Sequence, residues 1–325
     1  MSPARLFRLL VAGAIVMTAP VAAHAQIGGK QPIRILVPLP AGATSDIVAR
    51  LVADGIRDAV GQPIIVENRP GASGRIAVDA FKSAAPDGNT LLLAPIAVPV
   101  IIPLVFRNVN YDATKDFAPV AQVAKFEYAF AVAANHPARD LAKFVAWSKA
   151  NPAPASFGSP GAGSLPHFLG VGFGRSAGIE LVHVAYKGAA PVEADLMNGQ
   201  ITAGVSALSD FVPLHRAGRL RILATSGAAR SPLLPAVPTF REQGYPAGEL
   251  VGWHGVFAPA GTPQPVVERL SSAIVAALRT SEVREKFLMF GLEPTGTTPQ
   301  QLAAIVAADI ARWAPIIKAT GFSAE

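Results

Sequence analysis

Apolar positions recur along the chain with two periods, one of two residues and one of about four. Ile33-Arg34-Ile35-Leu36-Val37 is a β-rich run that gives way to a Pro/Gly loop. Ile47 and Leu51, then Val48 and Val52, fall at i, i+4 spacing and predict a helix that Gly61 closes. Ile64-Ile65-Val66 and Leu91-Leu92-Leu93 read as further strands, with a turn signal at Asn68-Arg69-Pro70-Gly71 between them. Downstream the same theme returns: a strand over Tyr128–Ala133, a helix over Asp140–Lys149, and a short strand Ala155-Ser156-Phe157. That strand runs into a glycine-rich turn, and a helix follows from Leu165. Val182–Tyr186 and Leu220–Ala224 complete the predicted strands. The C-terminal portion reads as mostly helical, with helices opening at Thr262-Pro263 and Thr298-Pro299. In the last helix Leu302, Ile305, Val306, Ile310, Trp313 and Ile317 share a face, Gly321 ends it, and Pro315 is expected to kink or break it. Strand, crossover helix, strand is the signature of a parallel α/β architecture. No long polar linker divides the chain, so two domains would be joined by more than one crossing, with a hinge and a cleft between them.

Composition narrows the class. The 325 residues are 51% apolar and 15% charged, which excludes a disordered chain. The length suffices for two domains of roughly 150 residues, each with its own core. With no cysteine there is no disulfide framework, thiolate metal site or cysteine nucleophile. The formal charge of +6 is spread along the chain without Lys/Arg clusters, so nucleic acid is not an expected partner. Arg5 and Arg8, the apolar stretch Leu9–Ala19 and the small-x-small triplet Ala23-His24-Ala25 form a secretory signal over residues 1–25. Cleavage is expected before Gln26, and Gln26 cannot carry a lipid thioether, so the product is expected free in the periplasm. Leu91–Phe106 is long and apolar but is interrupted by Pro95, Pro99 and Pro103, which argues against a membrane span.

Two glycine turns carry the candidate chemistry. Pro40–Asp46 and Gly158–Ser164 each lie between a strand and a helix. A helix start preceded by small residues offers free N–H groups and the positive end of the helix dipole to an anion. Thr44, Ser45, Ser159 and Ser164 add hydroxyls, and neither turn holds Lys or Arg. That composition suits a carboxylate better than a polyphosphate, and neither turn matches a nucleotide-binding glycine motif. Ordinary strand-to-helix turns with Ser/Thr caps would look the same, and Asp46 in a first helical turn complements the dipole without touching a ligand. His167 reads either as a donor into a cleft or as a capping or surface residue, and Trp253 either as a cleft wall or as a core aromatic. No G-x-S-x-G elbow occurs, and no two of the six histidines pair at i, i+4, so neither a catalytic set nor a metal set is expected. No cofactor is expected either.

Taken in order, several stretches resemble the Bug-type periplasmic receptors, the substrate-binding proteins of tripartite tricarboxylate transporters. They are Pro40–Arg50, Gly61–Gly71, Ala85–Gly88, Asp116–Val120, Gly158–His167, Tyr186–Ala189, Trp253–Pro263 and Arg312–Pro315. The resemblance implies an α/β, two-domain periplasmic binding protein, a type II-like Venus flytrap with its ligand in the interdomain cleft. It implies a discontinuous domain 1 (26–125 plus 250–325) and a domain 2 over 126–249. It also implies that both turns hold one carboxylate, through Gly42, Ala43, Thr44, Ser45, Asp46, Ser159, Gly161, Gly163, Ser164 and His167. The expected function is capture of a small organic acid for membrane transporter subunits, by a receptor acting as a monomer. Docking on a signalling receptor is the alternative, and a secreted hydrolase a weaker one. Two departures bear on the ligand. Ala43 replaces a usual glycine, and Pro95-Ile96-Ala97-Val98-Pro99 replaces the usual Ser, Thr or Asn residues. If that segment lines the cleft, a monocarboxylate with an apolar or aromatic body is expected rather than citrate.

Overall fold

The computed structural model describes residues 31–324 apart from 152 and 154; the secretory signal and its cleavage site lie outside the described residues. β1 (Ile33–Val37) leads into α1 (Thr44–Val60), β2 (Ile64–Asn68), α2 (Arg75–Lys82) and β3 (Thr90–Pro95). A π-helical turn over Ala97–Ile101 continues into α3 (Ile102–Val105), and α4 (Ala113–Asp116) precedes the long strand β4 (Phe117–Ala133). Next come α5 (Leu141–Ala150), β5 (Ser156–Ser159), α6 (Leu165–Ala177), β6 (Val182–Ala185) and α7 (Ala189–Met197). β7 (Ala203–Ala207), α8 (Leu208–Arg216) and β8 (Leu220–Thr225) follow. The remaining elements are β9 (Val251–Pro259), α9 (Gln264–Arg279), α10 (Ser281–Met289), β10 (Glu293–Pro294) and α11 (Pro299–Thr320).

β2, β1 and β3 are parallel neighbours, and β9 then β4 extend that sheet antiparallel. Because β1 and β3 are covered on both faces, they are apolar but for Arg34 and Thr90 rather than alternating. The pleat still divides them. Ile33, Ile35, Val37, Leu91 and Leu93 pack with Val48, Val52 and Ile56 of α1 and Leu270 and Ile274 of α9. Leu36, Leu92 and Ala94 face the other way, into a cluster with Val78 and Phe81 of α2 and Leu302, Val306 and Trp313 of α11. Gly61, left-handed at φ 68, ends α1 as its spacing predicts.

β4 belongs to two sheets. From Phe117 to Glu127 its partner is β9, with β10 alongside, and from Tyr128 to Ala133 its partners are β7 and β8. β7, β5 and β6 then continue the second sheet in parallel. Here too the pleat sorts side chains: Ala129 and Ala131 pack with Val192 and Leu196 of α7 and Phe211 of α8. Phe130 and Val132 face Phe144 of α5 and Phe173 of α6, with ring centroids 4.9 and 5.0 Å from Phe130. Where β4 changes partners, Ser226 fastens the strand to the start of β9. Its hydroxyl accepts from Tyr128 N–H at 2.8 Å and donates to the Leu250 carbonyl.

Some sequence expectations shift. The C-terminal portion contains a nine-residue central strand, β9, broken in pattern by Gly252 and Gly255 and therefore not apparent as a strand. β4 begins eleven residues earlier than the run at Tyr128. Thr262 caps no helix: α9 starts at Gln264 after Pro263, and the Thr262 hydroxyl donates instead to the Pro259 carbonyl. Pro315 lies inside α11, which runs through it to Thr320, and Thr298 supplies that helix with a full capping box. Leu91–Phe106 forms a strand and a short buried helical stretch, and among the described residues no helix is long and apolar enough to cross a membrane.

Gly170 sets how closely α6 approaches β5, because a Cβ there would stand 2.2 Å from the buried Phe157 ring. Gly170→Ala is therefore expected to destabilise the fold by about 1–3 kcal/mol of overpacking, against the roughly 1 kcal/mol that alanine gains within a helix. A lowered urea midpoint would show it, and an unchanged or raised midpoint would refute the close packing.

Candidate functional site

Both glycine turns sit at the carboxyl ends of parallel strands, where α/β sheets place their ligands. The first follows β1. Gly42 is left-handed at φ 83, a conformation that favours glycine, and Ala43 N–H closes the turn on the Pro40 carbonyl at 3.2 Å. Ala43 is the N-cap of α1 and contributes no capping side chain. The first N–H groups of that helix, at Thr44 and Ser45, therefore find no cap within their own turn. The polar side chains of the turn face inward. Asp46 Oδ2 accepts from Gly42 N–H at 2.9 Å, and its carboxylate pairs with Arg50 at 3.0 Å. Burial raises the Asp46 pKa, but the hydrogen bonds from Arg50 and Gly42 outweigh it and hold the group below its ordinary value. Asp46 thus braces the turn and neutralises the nearest cation. Ser45 is fully buried, its hydroxyl 2.9 Å from His254 Nε2 on β9. Gly42 remains exposed, and Ala43 and Thr44 are partly so.

The second turn follows β5 in the same topological position. Gly163 is left-handed at φ 73, and Ser164 is the N-cap of α6. The Ser164 hydroxyl donates to the Gly161 carbonyl at 2.6 Å and accepts from His167 N–H at 3.4 Å. Gly163 N–H donates to His167 Nδ1 at 3.1 Å, so that imidazole nitrogen is unprotonated. Ser159 is buried, with its hydroxyl 2.8 Å from His183 Nε2. Pro166 has no N–H, which leaves Leu165 as the α6 amide without an intrahelical acceptor.

The ring of His167 stacks on that of His183 with centroids 3.9 Å apart. Burial pushes both pKa values down; in His183, to about 4, the charge of His167 adds to it. His254 is wholly buried and falls to about 3 for the same reason. The Ser45–His254 and Ser159–His183 pairs have the outline of nucleophile and base. Imidazoles this hard to protonate are poor bases near neutral pH, and His254 Nδ1 has no hydrogen-bond partner to orient it. What the arrangement does chemically is stiffen two helix starts with neutral groups.

Several contributors escape the sequence pattern. His183 and His254 reach the turns only through strand pairings, Phe157 with His183 and Pro95 with His254. α7 starts beside the second turn, with Tyr186 N–H on the Ser159 carbonyl and Gly188 N–H on that of Pro160. Its N-cap, Gly188, likewise offers no side chain. Phe322, just beyond α11, lies against Gly163 and meets the His167 ring edge-on at 5.3 Å. Trp253 is a core residue, donating to Asp309 Oδ2 at 2.7 Å. Ile96 and Val98 also turn into the core, at 1% and 2% exposure. Of the apolar segment after β3, Pro95 and Ala97 keep partial exposure.

Two sheets sharing one long strand, each with a strand–glycine turn–helix at its carboxyl edge, define a periplasmic binding protein fold. The solved periplasmic binding protein BugD is similar over 92% of this chain and 100% of its own, with TM-score 0.79 and 28% identity. R. palustris Rpa4515, solved with adipate, is similar over 90% of this chain and 98% of its own, with TM-score 0.82 and 32% identity. Protein BugT of Bordetella pertussis is 34% identical over 316 residues, 96% of this chain and 97% of BugT. Residues 48–322 match the tripartite tricarboxylate transporter family receptor, and the chain belongs to that family of solute-binding receptors.

The buried histidines give acid sensitivity a definite sign. His254 stays neutral in the folded chain down to about pH 3 and takes a proton near the ordinary histidine value of 6.5 once unfolded. The unfolded state therefore binds more protons between those values, and stability falls as pH drops through that window. His183, lowered to about 4, acts in the same sense. His254→Gln is expected to flatten the decline of urea midpoint between pH 6.5 and 4. A slope identical to that of the unaltered protein would show that His254 is not the buried neutral group responsible.

Proposed function

We propose that this receptor is exported by its leader, cleaved before Gln26, and captures a small organic acid in the periplasm for a membrane transporter. The carboxylate rests on the two helix starts, α1 at Ala43–Ser45 and α6 at Gly161–Leu165. One observation carries this reading: α1 begins without a capping side chain, while Ser45 and Asp46, the residues able to cap it, are engaged elsewhere. An anion supplies acceptors for such N–H groups, and hydrogen bonds to a charged partner contribute about 1.5–3 kcal/mol each. The Thr44 hydroxyl completes the seat, and Ser164, whose hydroxyl is given to the Gly161 carbonyl, lines it. Asp46, Ser159 and His167 brace it and do not touch the ligand.

In this reading the lobes are 26–125 with 250–325, and 126–249. The switch of β4 partners at Glu127–Tyr128 supports a hinge there. The weak basicity of the buried imidazoles supports binding without catalysis. Pro95 and Ala97, the residues of the Pro95–Pro99 segment that keep exposure, have no side-chain hydroxyl, amide or charge to offer a second acid group, which supports an apolar body on the ligand. Adipate in Rpa4515 marks the opposing possibility, a second carboxylate at the far end.

A ligand at a hundredfold excess over Kd stabilises the native state by about 2.7 kcal/mol, or several degrees of Tm in a chain this size. A thermal-shift screen of carboxylates is expected to yield such a ligand, and Thr44→Trp or Ser164→Trp to abolish its shift while both variants still fold. The unliganded Tm holds in Thr44→Trp and drops in Ser164→Trp by the loss of the α6 cap, about 1 kcal/mol. A full shift in both variants would remove the turns from the site. Calorimetry then separates the ligand classes: benzoate-like acids are expected to bind more tightly than citrate or adipate. The reverse order would overturn the apolar body and leave the carboxylate seat standing.

A further inference from the structure

A second cavity, of about 520 Å³, opens where β4 passes from one sheet to the other, and no part of the acid site lines it. Both sheets contribute walls. Phe126 and Val251 come from the crossing itself, Leu208 from the start of α8, and Leu288 and Leu292 from α10 and the residues after it. The lining is therefore largely apolar, and its rim continues into the exposed side chains of Met289 and Phe290.

Four charged side chains line this cavity: Lys125 and Glu127 from β4, Glu293 from β10 and Arg230 from the loop after β8. Arg230 is spoken for, donating through Nε to both oxygens of Glu242 at 3.0 and 2.9 Å. Lys125 and Glu293 are cross-strand partners, so their charges offset one another. That leaves Glu127. Its carboxyl lies against the backbone of Gly227, where a Cβ would stand 2.5 Å from Oε1, so the side chain needs a glycine opposite. Its Oε2 is buried, the carboxyl forms no ion pair among the described residues, and the Thr225 hydroxyl is the neutral donor that eases its ionisation. A buried carboxylate served only by a neutral donor is under-satisfied, and a charged donor suits it best.

We propose that this cavity is a second binding site, for an amphipathic organic ammonium whose apolar body fills the cavity and whose N–H groups donate to Glu127. The acidity of Glu127 fits such a partner. Burial raises its pKa to about 7, with a contribution from Glu293 and an opposing one from the Thr225 hydroxyl. An aliphatic ammonium keeps its proton to well above that value. Binding selects the ionised carboxylate, so affinity rises with pH through the neutral range.

n-Hexylamine is the probe, titrated by calorimetry into the full secreted chain, with n-hexanol as the matched control. The amine is expected to bind more tightly than the alcohol and to gain affinity between pH 6 and 8. Glu127→Gln is expected to weaken it about tenfold or more, the loss of one charge-assisted hydrogen bond, and to remove the pH dependence. Leu288→Trp, at a rim position 41% exposed and so tolerant of change, is expected to block the cavity and abolish binding. Equal binding of hexanol and hexylamine, an affinity untouched by Glu127→Gln, or no binding to the unaltered chain would each overturn the proposal.

Discussion

One strand serving two sheets is the constraint on which the other features depend. β4 cannot shift register in one sheet without disturbing the other, because side chains along its length alternate between opposite cores. Phe130 and Val132 feed one cluster while Ala129 and Ala131 feed another. A slip of one residue would exchange phenylalanine for alanine on both faces at once. The strand is thereby locked at either end and least constrained where it changes partners. At that point Ser226 ties it to the chain entering β9, so the two crossings are joined by hydrogen bonds as well as by the packing of Tyr128 and Leu250.

The same topology puts helix starts at sheet edges. β1 and β5 are flanked by parallel neighbours, so each must hand the chain to a helix at its carboxyl end. What differs from ordinary α/β turns is the treatment of polar side chains there. Each serine nearest a turn is drawn back to a histidine, Ser45 to His254 two strands away on β9 and Ser159 to His183 on adjacent β6, and Asp46 is drawn to Gly42 and Arg50. The imidazoles stay neutral because burial penalises their cations. The surface presented by each turn is therefore backbone and small side chains.

Legibility from sequence tracked how local each feature is. β1, α1 and its Gly61 stop, β3 and the Thr298 cap all rest on periodicity or capping chemistry within one element, and they stand where the pattern put them. β7, Ala203–Ala207, has small residues and no alternation, and β9 is interrupted by Gly252 and Gly255, so neither announces itself as a strand. Both turns were visible as glycine-rich joints. Their supports were not, because His183 and His254 come close only through pairing of strands distant in sequence, and Phe322 only through the docking of α11. Ile96 and Val98 show the opposite failure: an apolar segment beside a presumed cleft has no way, in sequence, to declare that it points into the core.

An acid seat made of peptide groups has consequences that an arginine seat would not. A buried guanidinium must be desolvated whenever the site empties or fills, and it carries its full charge between ligands. Helix-start N–H groups carry partial charge, remain fixed by the helix, and cost little reorganisation when the anion arrives. Arg50, the one cation within a turn of the first seat, is occupied by Asp46, so the local field comes from the helix ends. Long-range attraction is left to the net charge, +6 in the full sequence and +4 without Arg5 and Arg8 of the proposed leader, which draws acids in general and is screened by salt. In the proposed seat, recognition of the acid group is local and moderate in strength, and discrimination between acids falls to whatever surrounds the rest of the molecule. A receptor that must surrender its ligand to a partner is served by that division, since a seat held by fixed charge would resist release.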